Sequence, residues 1–165
     1  MDWISSHPQL IFYIVFAIAI ILSRIPLAGK YFRSVNTLVH EAGHAFIALL
    51  LSGEVIAINL FADTSGSTVT KSKSKIAQVF IALAGYPVST LSGLLFLLLL
   101  AKGYYLAILF ILTSIALIIM ILSLKNAYGL FWAGTFVVLN LLLIYFNSNS
   151  VLYVFAAFYT LIIFT

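Results

Sequence analysis

Apolar residues arrive in runs long enough to cross a bilayer, one after another, along almost the whole chain. A bilayer core needs about 20 residues of helix, within a range of roughly 17–25. The runs fall at 9–23, which is slightly short, and at 35–52, 76–101, 104–124, 127–146 and 151–165. In water such a chain has no good solution. It is 64% hydrophobic and 7% charged, whereas a soluble domain carries about 25% charged residues and tolerates only small oily patches. Lipid leaves backbone polar groups no partner but the chain itself, so these runs are expected to be helices. The fold class is therefore all-α, a polytopic membrane protein with about six transmembrane helices. The bilayer is its solvent, and a cell membrane its place as a multi-pass integral protein. Nothing in the composition divides residues 1–165, which are read as one transmembrane domain.

The breaks between runs carry their own chemistry. Arg24 and Pro26 end the first run, which has no basic region before it and no small-residue cleavage site after it. It is a retained helix rather than a signal peptide. Ser34 suits the N-cap of a helix over 35–52, and Ser52-Gly53 its stop. Segment 54–71 differs in kind. Ile56, Ile58 and Leu60 alternate with Val55, Ala57 and Asn59. A turn cluster, Asp63-Thr64-Ser65-Gly66, precedes a second β-prone stretch, Ser67 to Thr70. This predicts a β-hairpin between the second and third helices, at the membrane surface, with Lys71, Lys73 and Lys75 near lipid headgroups. Tyr104, Tyr105, Tyr128 and Trp132 stand near span ends and suit interfacial anchoring. The run 151–165 is a little short for a crossing and reads as a chain ending inside a helix.

Charge excludes other classes. The net +4 comes from eight basic against four acidic residues. The basic ones sit in short loops, where membrane proteins keep them, so no nucleic-acid partner is expected. They divide evenly between the two faces, so orientation stays open. Without cysteine there is no disulfide framework and no thiolate metal site.

Against this apolar background stands His40-Glu41-Ala42-Gly43-His44. Residues four apart lie one turn apart on one helix face, so the two imidazoles can share one metal ion. Glu41 sits beside them, free to act as general base on water. Zinc lowers the pKa of its water to about 7, making a nucleophile for a carbonyl carbon. Glu41 takes the proton and passes it to the leaving amine. With three His and two Glu in the chain, chance placement gives this pattern in about 6 of 10,000 shuffles. Asn36 and Thr37 extend the same polar stripe, and ionisable groups inside membrane helices are costly and functional by default. The bland alternative is a buried His/Glu network that only locks helices together.

Thr37-Leu38-Val39-His40-Glu41-Ala42-Gly43-His44-Ala45 resembles the catalytic helix of the site-2 protease family of intramembrane zinc metalloproteases. More narrowly, it resembles the small bacterial branch in which a Gly-ended helix runs into a short β-hairpin. Ala84-Gly85-Tyr86-Pro87-Val88-Ser89 is similar to that family's Ala-Gly-Pro segment on the following helix. Here Tyr86 intervenes before the proline, and Ser89 stands where Asn is common. The resemblance covers about 36–100. It implies a zinc metalloendopeptidase acting on membrane-anchored protein substrates, with Zn2+ as cofactor, His40 and His44 as metal ligands and Glu41 as catalytic base. It also implies a third ligand, an Asp on a later helix, and no Asp or Glu follows Asp63. Asp2, Glu54, Asp63, Asn126 and Asn140 are poor substitutes, and the simplest expectation puts the missing Asp beyond Thr165.

Three further readings follow from the residues. Gly85, Ser89 and Gly93, at four-residue spacing, suit close packing against the motif helix. Pro87 would open the backbone there. The hairpin either connects helices or offers an edge for an unwound substrate strand. A catalytically inactive scaffold that keeps the motif is the alternative function. A transporter fits less well, because no internal repeat is present.

Overall fold

The computed structural model describes residues 7–164. Helix α1 (Pro8–Arg24) meets α2 (Pro26–Leu50) at Ile25, which is extended at φ −74° and ψ 126°. A residue before proline is pushed out of the helical region, and proline is well placed at the first helical position. The two axes turn by 111° there. Helix α2 thus begins at Pro26, not at the expected 35. Ser34 is no cap: its hydroxyl donates to Lys30 O at 2.9 Å inside the helix. Proline, not a hydroxyl cap, sets this helix start. At the other end Ser52 takes the left-handed conformation, φ 57°. Gly53 N–H then reaches back to Ala48 O at 2.8 Å, a closure typical of helix C-termini.

Strands β1 (Glu54–Leu60) and β2 (Gly66–Lys71) form an antiparallel hairpin with a bulge between Val55 and Ala57. The hairpin does not stay at a helix end. It folds back along α2, from Ala48 beside Gly53 to Thr37, whose hydroxyl donates to Thr64 O at 2.7 Å. Polar side chains on α2 supply partners along the hairpin's length, which a purely apolar helix would not. The outer side of β1 is covered as well. Ile58 N–H donates to Ser123 O at 2.8 Å, Lys125 N–H donates to Ile58 O at 3.1 Å, and the Asn126 amide brackets both backbone groups of Leu60. By strand alternation, Thr68 and Thr70 turn their backbone groups to the open side of β2.

The expected run 76–101 is two helices, α3 (Lys75–Leu83) and α4 (Gly85–Ala101), bent by 46°. Pro87 explains the break, since its ring excludes the carbonyl of the residue four before it, Leu83. Ser74 caps α3 by accepting from Ala77 N–H at 3.3 Å. Helices α5 (Tyr105–Leu122), α6 (Ala127–Phe146) and α7 (Asn149–Ile162) complete the chain.

Among the described residues, two helices, α5 and α6, are long and apolar enough to cross a membrane, or up to four spans if each bent pair counts as one. The expected six is corrected to between two and four. Helix α7, with 14 residues, falls short of the roughly 17–25 that a span needs, and α1, with 17, only reaches the lower end of that range. Helix α7 instead lies inside, packed on α1, α2, α4, α5 and α6, and every residue from Ala156 to Ile163 is buried. Trp132 is also buried, donating to Tyr31 O at 2.8 Å, so it anchors α6 to α2 rather than to an interface.

Candidate functional site

The polar stripe of α2 faces a cleft. The hairpin forms one wall, and the α3–α4 junction forms the other. Asn36 meets α4, Thr37 the hairpin tip, Glu41 strand β2, and both imidazoles the junction. Two cavities of about 280 and about 440 Å³ share His40, Glu41 and Gly66 in their linings. A cavity of about 480 Å³ near Gln9, Leu97 and Tyr105 carries no His, Asp or Glu.

His40 and His44 turn their Nε2 atoms to each other at 3.1 Å. Two nitrogens bound to one tetrahedral zinc at about 2.0–2.1 Å would stand roughly 3.3 Å apart. His44 Nδ1 lies 2.6 Å from Ile81 O. A carbonyl only accepts, so Nδ1 donates to it, and in the neutral imidazole this leaves the Nε2 lone pair toward His40. Backbone support of that kind is usual for a metal-binding imidazole. Gly85 completes the cradle, because a Cβ at this position would collide with both Nε2 atoms. The Tyr86 and His40 rings meet in a T-shaped arrangement, centroids 4.6 Å apart.

Glu41 is buried, at 5% exposure. Its Oε2 accepts from the Thr68 hydroxyl at 2.6 Å. Gly66 lets β2 approach the same carboxyl, where a Cβ would stand 2.6 Å from Oε1. Thr68, Gly66 and the Ile81 carbonyl contact the motif side chains and were missed by sequence reasoning. For Thr68 and Gly66 the signal is the alternation of β2, which becomes informative only once the hairpin is known to lie along α2; the Ile81 carbonyl, on α3, leaves no such signal.

The donor set present fits two-thirds of a zinc site. Among the described residues no group of three or more His, Cys, Asp or Glu comes together. Asp63 sits in the hairpin turn, its Oδ1 accepting from Ser65 N–H at 3.0 Å and Ser65 Oγ at 2.6 Å. Those bonds hold its carboxyl below its ordinary pKa. Asn126 is engaged with Leu60, and Asn140 donates to Phe136 O at 2.9 Å. Asp2 lies outside the described residues. The small-residue series divides: Gly85 and Ser89 do face α2, whereas Gly93 makes room for the Phe164 ring.

A family model described as Peptidase M50B-like matches residues 11–165. No curated protein and no solved structure matches the chain.

Proposed function

The chain belongs to the site-2 protease family through its peptidase M50B-like branch, and from that premise we propose that it is an intramembrane zinc metalloendopeptidase. Its substrates are membrane-anchored proteins. One observation carries the reading: two imidazole Nε2 atoms converge at 3.1 Å beside a buried carboxylate on a shared cavity. His40 and His44 would hold the metal. When bound, zinc supplies Lewis acidity, acidifying water and polarising a carbonyl.

The remaining chemistry belongs to the chain. Thr68 engages Glu41 Oε2, which leaves Oε1 to take a proton from the attacking water. Glu41 then returns that proton to the departing amine, so it ends each cycle ionised. Gly66 and Gly85 hold the walls clear of Cβ atoms, which suits a peptide backbone passing close to Glu41 and the imidazoles. The open side of β2, at Thr68 and Thr70, offers donors and acceptors to an extended substrate strand.

Glu41→Gln tests the reading. The variant keeps its zinc while cleavage of a membrane-anchored reporter falls by about 10²–10⁴-fold, the usual share of a general base. Undiminished cleavage would sink it. A second reading, an inactive scaffold that keeps the motif, draws on the donor set: two ligands stand together among the described residues, where zinc catalysis uses three. Zinc bound without any cleavage by the native chain would favour that reading.

A further inference from the structure

Ser89 and Asn36 form a polar pair for which the proposed chemistry has no use. Ser89 lies on α4, 5% exposed, and donates to Asn36 Oδ1 at 2.6 Å. Hydroxyls in the helices of this chain usually return to their own backbone. Ser34 donates to Lys30 O, Thr113 to Leu109 O and Thr160 to Ala156 O, each four residues back. Such back-bonding is the ordinary fate of a helical hydroxyl. Ser89 departs from it and crosses to another helix.

That bond orients the amide. A separation of 2.6 Å suits O–H···O, whereas N–H···O bonds centre near about 2.9–3.0 Å. The oxygen of Asn36 therefore faces the serine, and Nδ2 with its two protons occupies the other branch of the planar group. Asn36 precedes His40 by one turn on the same face of α2. With His40 and Glu41 it lines the cavity of about 280 Å³. A donor is thus held on the cavity that the base and the His40 imidazole line.

We propose that Asn36 is a catalytic residue whose Nδ2–H donates to the scissile carbonyl oxygen, with Ser89 as the positioning residue that fixes the amide. The assignment rests on the proteolytic reading above. As water oxygen bonds to the carbonyl carbon, the C=O π pair moves onto oxygen, and the Asn36 N–H stabilises the charge. When the C–N bond breaks, that pair returns, and the leaving nitrogen receives the proton Glu41 took from water. Asn36 neither gains nor loses a proton. A preoriented amide acts best where charge develops, so its contribution belongs to kcat rather than to ground-state binding.

The test uses the whole chain in detergent, with a membrane-anchored reporter, reading kcat, KM, zinc content and thermal midpoint. Asn36→Ala lowers kcat by about 10²–10³-fold, with KM, zinc and midpoint close to native. Ser89→Ala lowers kcat roughly fivefold to tenfold, the effect of one lost hydrogen bond, and Ser89→Thr restores it. On a Glu41→Gln background, Asn36→Ala leaves the Kd for uncleaved reporter unchanged. An Asn36→Ala kcat close to native overturns the assignment and leaves the protease reading standing. So does a joint fall of kcat and midpoint in both Asn36→Ala and Ser89→Ala, the mark of a packing clamp. If native protein and Glu41→Gln are equally inactive, the proteolytic reading fails and this assignment with it.

Discussion

Helices α2 and α7 both contribute to the core, yet opposite means hold them. On α2 the side chains of the polar stripe are tied to partners distant in sequence: Asn36 to Ser89, Thr37 to Thr64, Glu41 to Thr68 and His44 to Ile81. On α7 the fit is one of shape. Phe158 meets Phe32 edge-on at 4.8 Å, Tyr159 meets Phe136 at 5.5 Å, and Ala156 and Ala157 admit their neighbours closely. The hydroxyl of Thr160 turns back to its own helix. Directional bonds fix orientation, which chemistry requires, whereas dispersion fills volume with little regard to direction. Changes on α2 should therefore strike activity and spare the fold, and changes on α7 should do the reverse.

Gly85→Ala is the strongest way to break this comparison. Its Cβ enters the space of both Nε2 atoms, so zinc content and cleavage both fall, cleavage by about 100-fold or more, as expected for a misplaced constellation. The thermal midpoint stays near native. Thr68→Val comes next. Losing a hydrogen bond to a charged group costs about 1.5–3 kcal/mol, read as a roughly 10- to 100-fold fall in kcat with zinc retained. Ala156→Leu works on the other side. Overpacking costs about 1–3 kcal/mol, seen as a lower midpoint, while zinc per folded chain is unchanged. A variant at 156 that lost zinc without losing stability would erase the distinction.

Asp63→Asn has the smallest effect. The Asp63 carboxyl is exposed, and Ser65 holds its pKa below the usual 3.8. A depressed folded pKa means that its contribution is present above the ordinary value and lost as pH falls through the folded one. Native and Asp63→Asn chains should thus differ slightly above pH 3.8 and converge in stronger acid. Equal midpoints at every pH would remove Asp63 from the account of the turn.

The motif and the hairpin were legible because each rests on local periodicity: four residues per imidazole pair, two per strand step. The class of membrane protein followed from apolar run length. Longer-range features were not legible. The 35–52 boundary missed Pro26 because Ser34 looks like a cap in isolation, although in the fold its hydroxyl bonds within the helix. The run 76–101 reads as one span by hydropathy, yet Pro87 marked an opening in it, and the structure has the break at Ala84, where Pro87 displaces the Leu83 carbonyl. Thr68 looked like any strand threonine, and its bond to Glu41 exists only because the hairpin folds back along α2. A third ligand was not legible either, and none joins His40 and His44 among the described residues.

Zinc stoichiometry of the detergent-extracted chain tests the central claim most directly, measured on the native sequence and on His44→Ala. The account predicts about one zinc per native chain and almost none in the variant, because a single remaining imidazole is far short of a zinc site. A native chain without zinc, or a His44→Ala variant that holds as much as native, would contradict it.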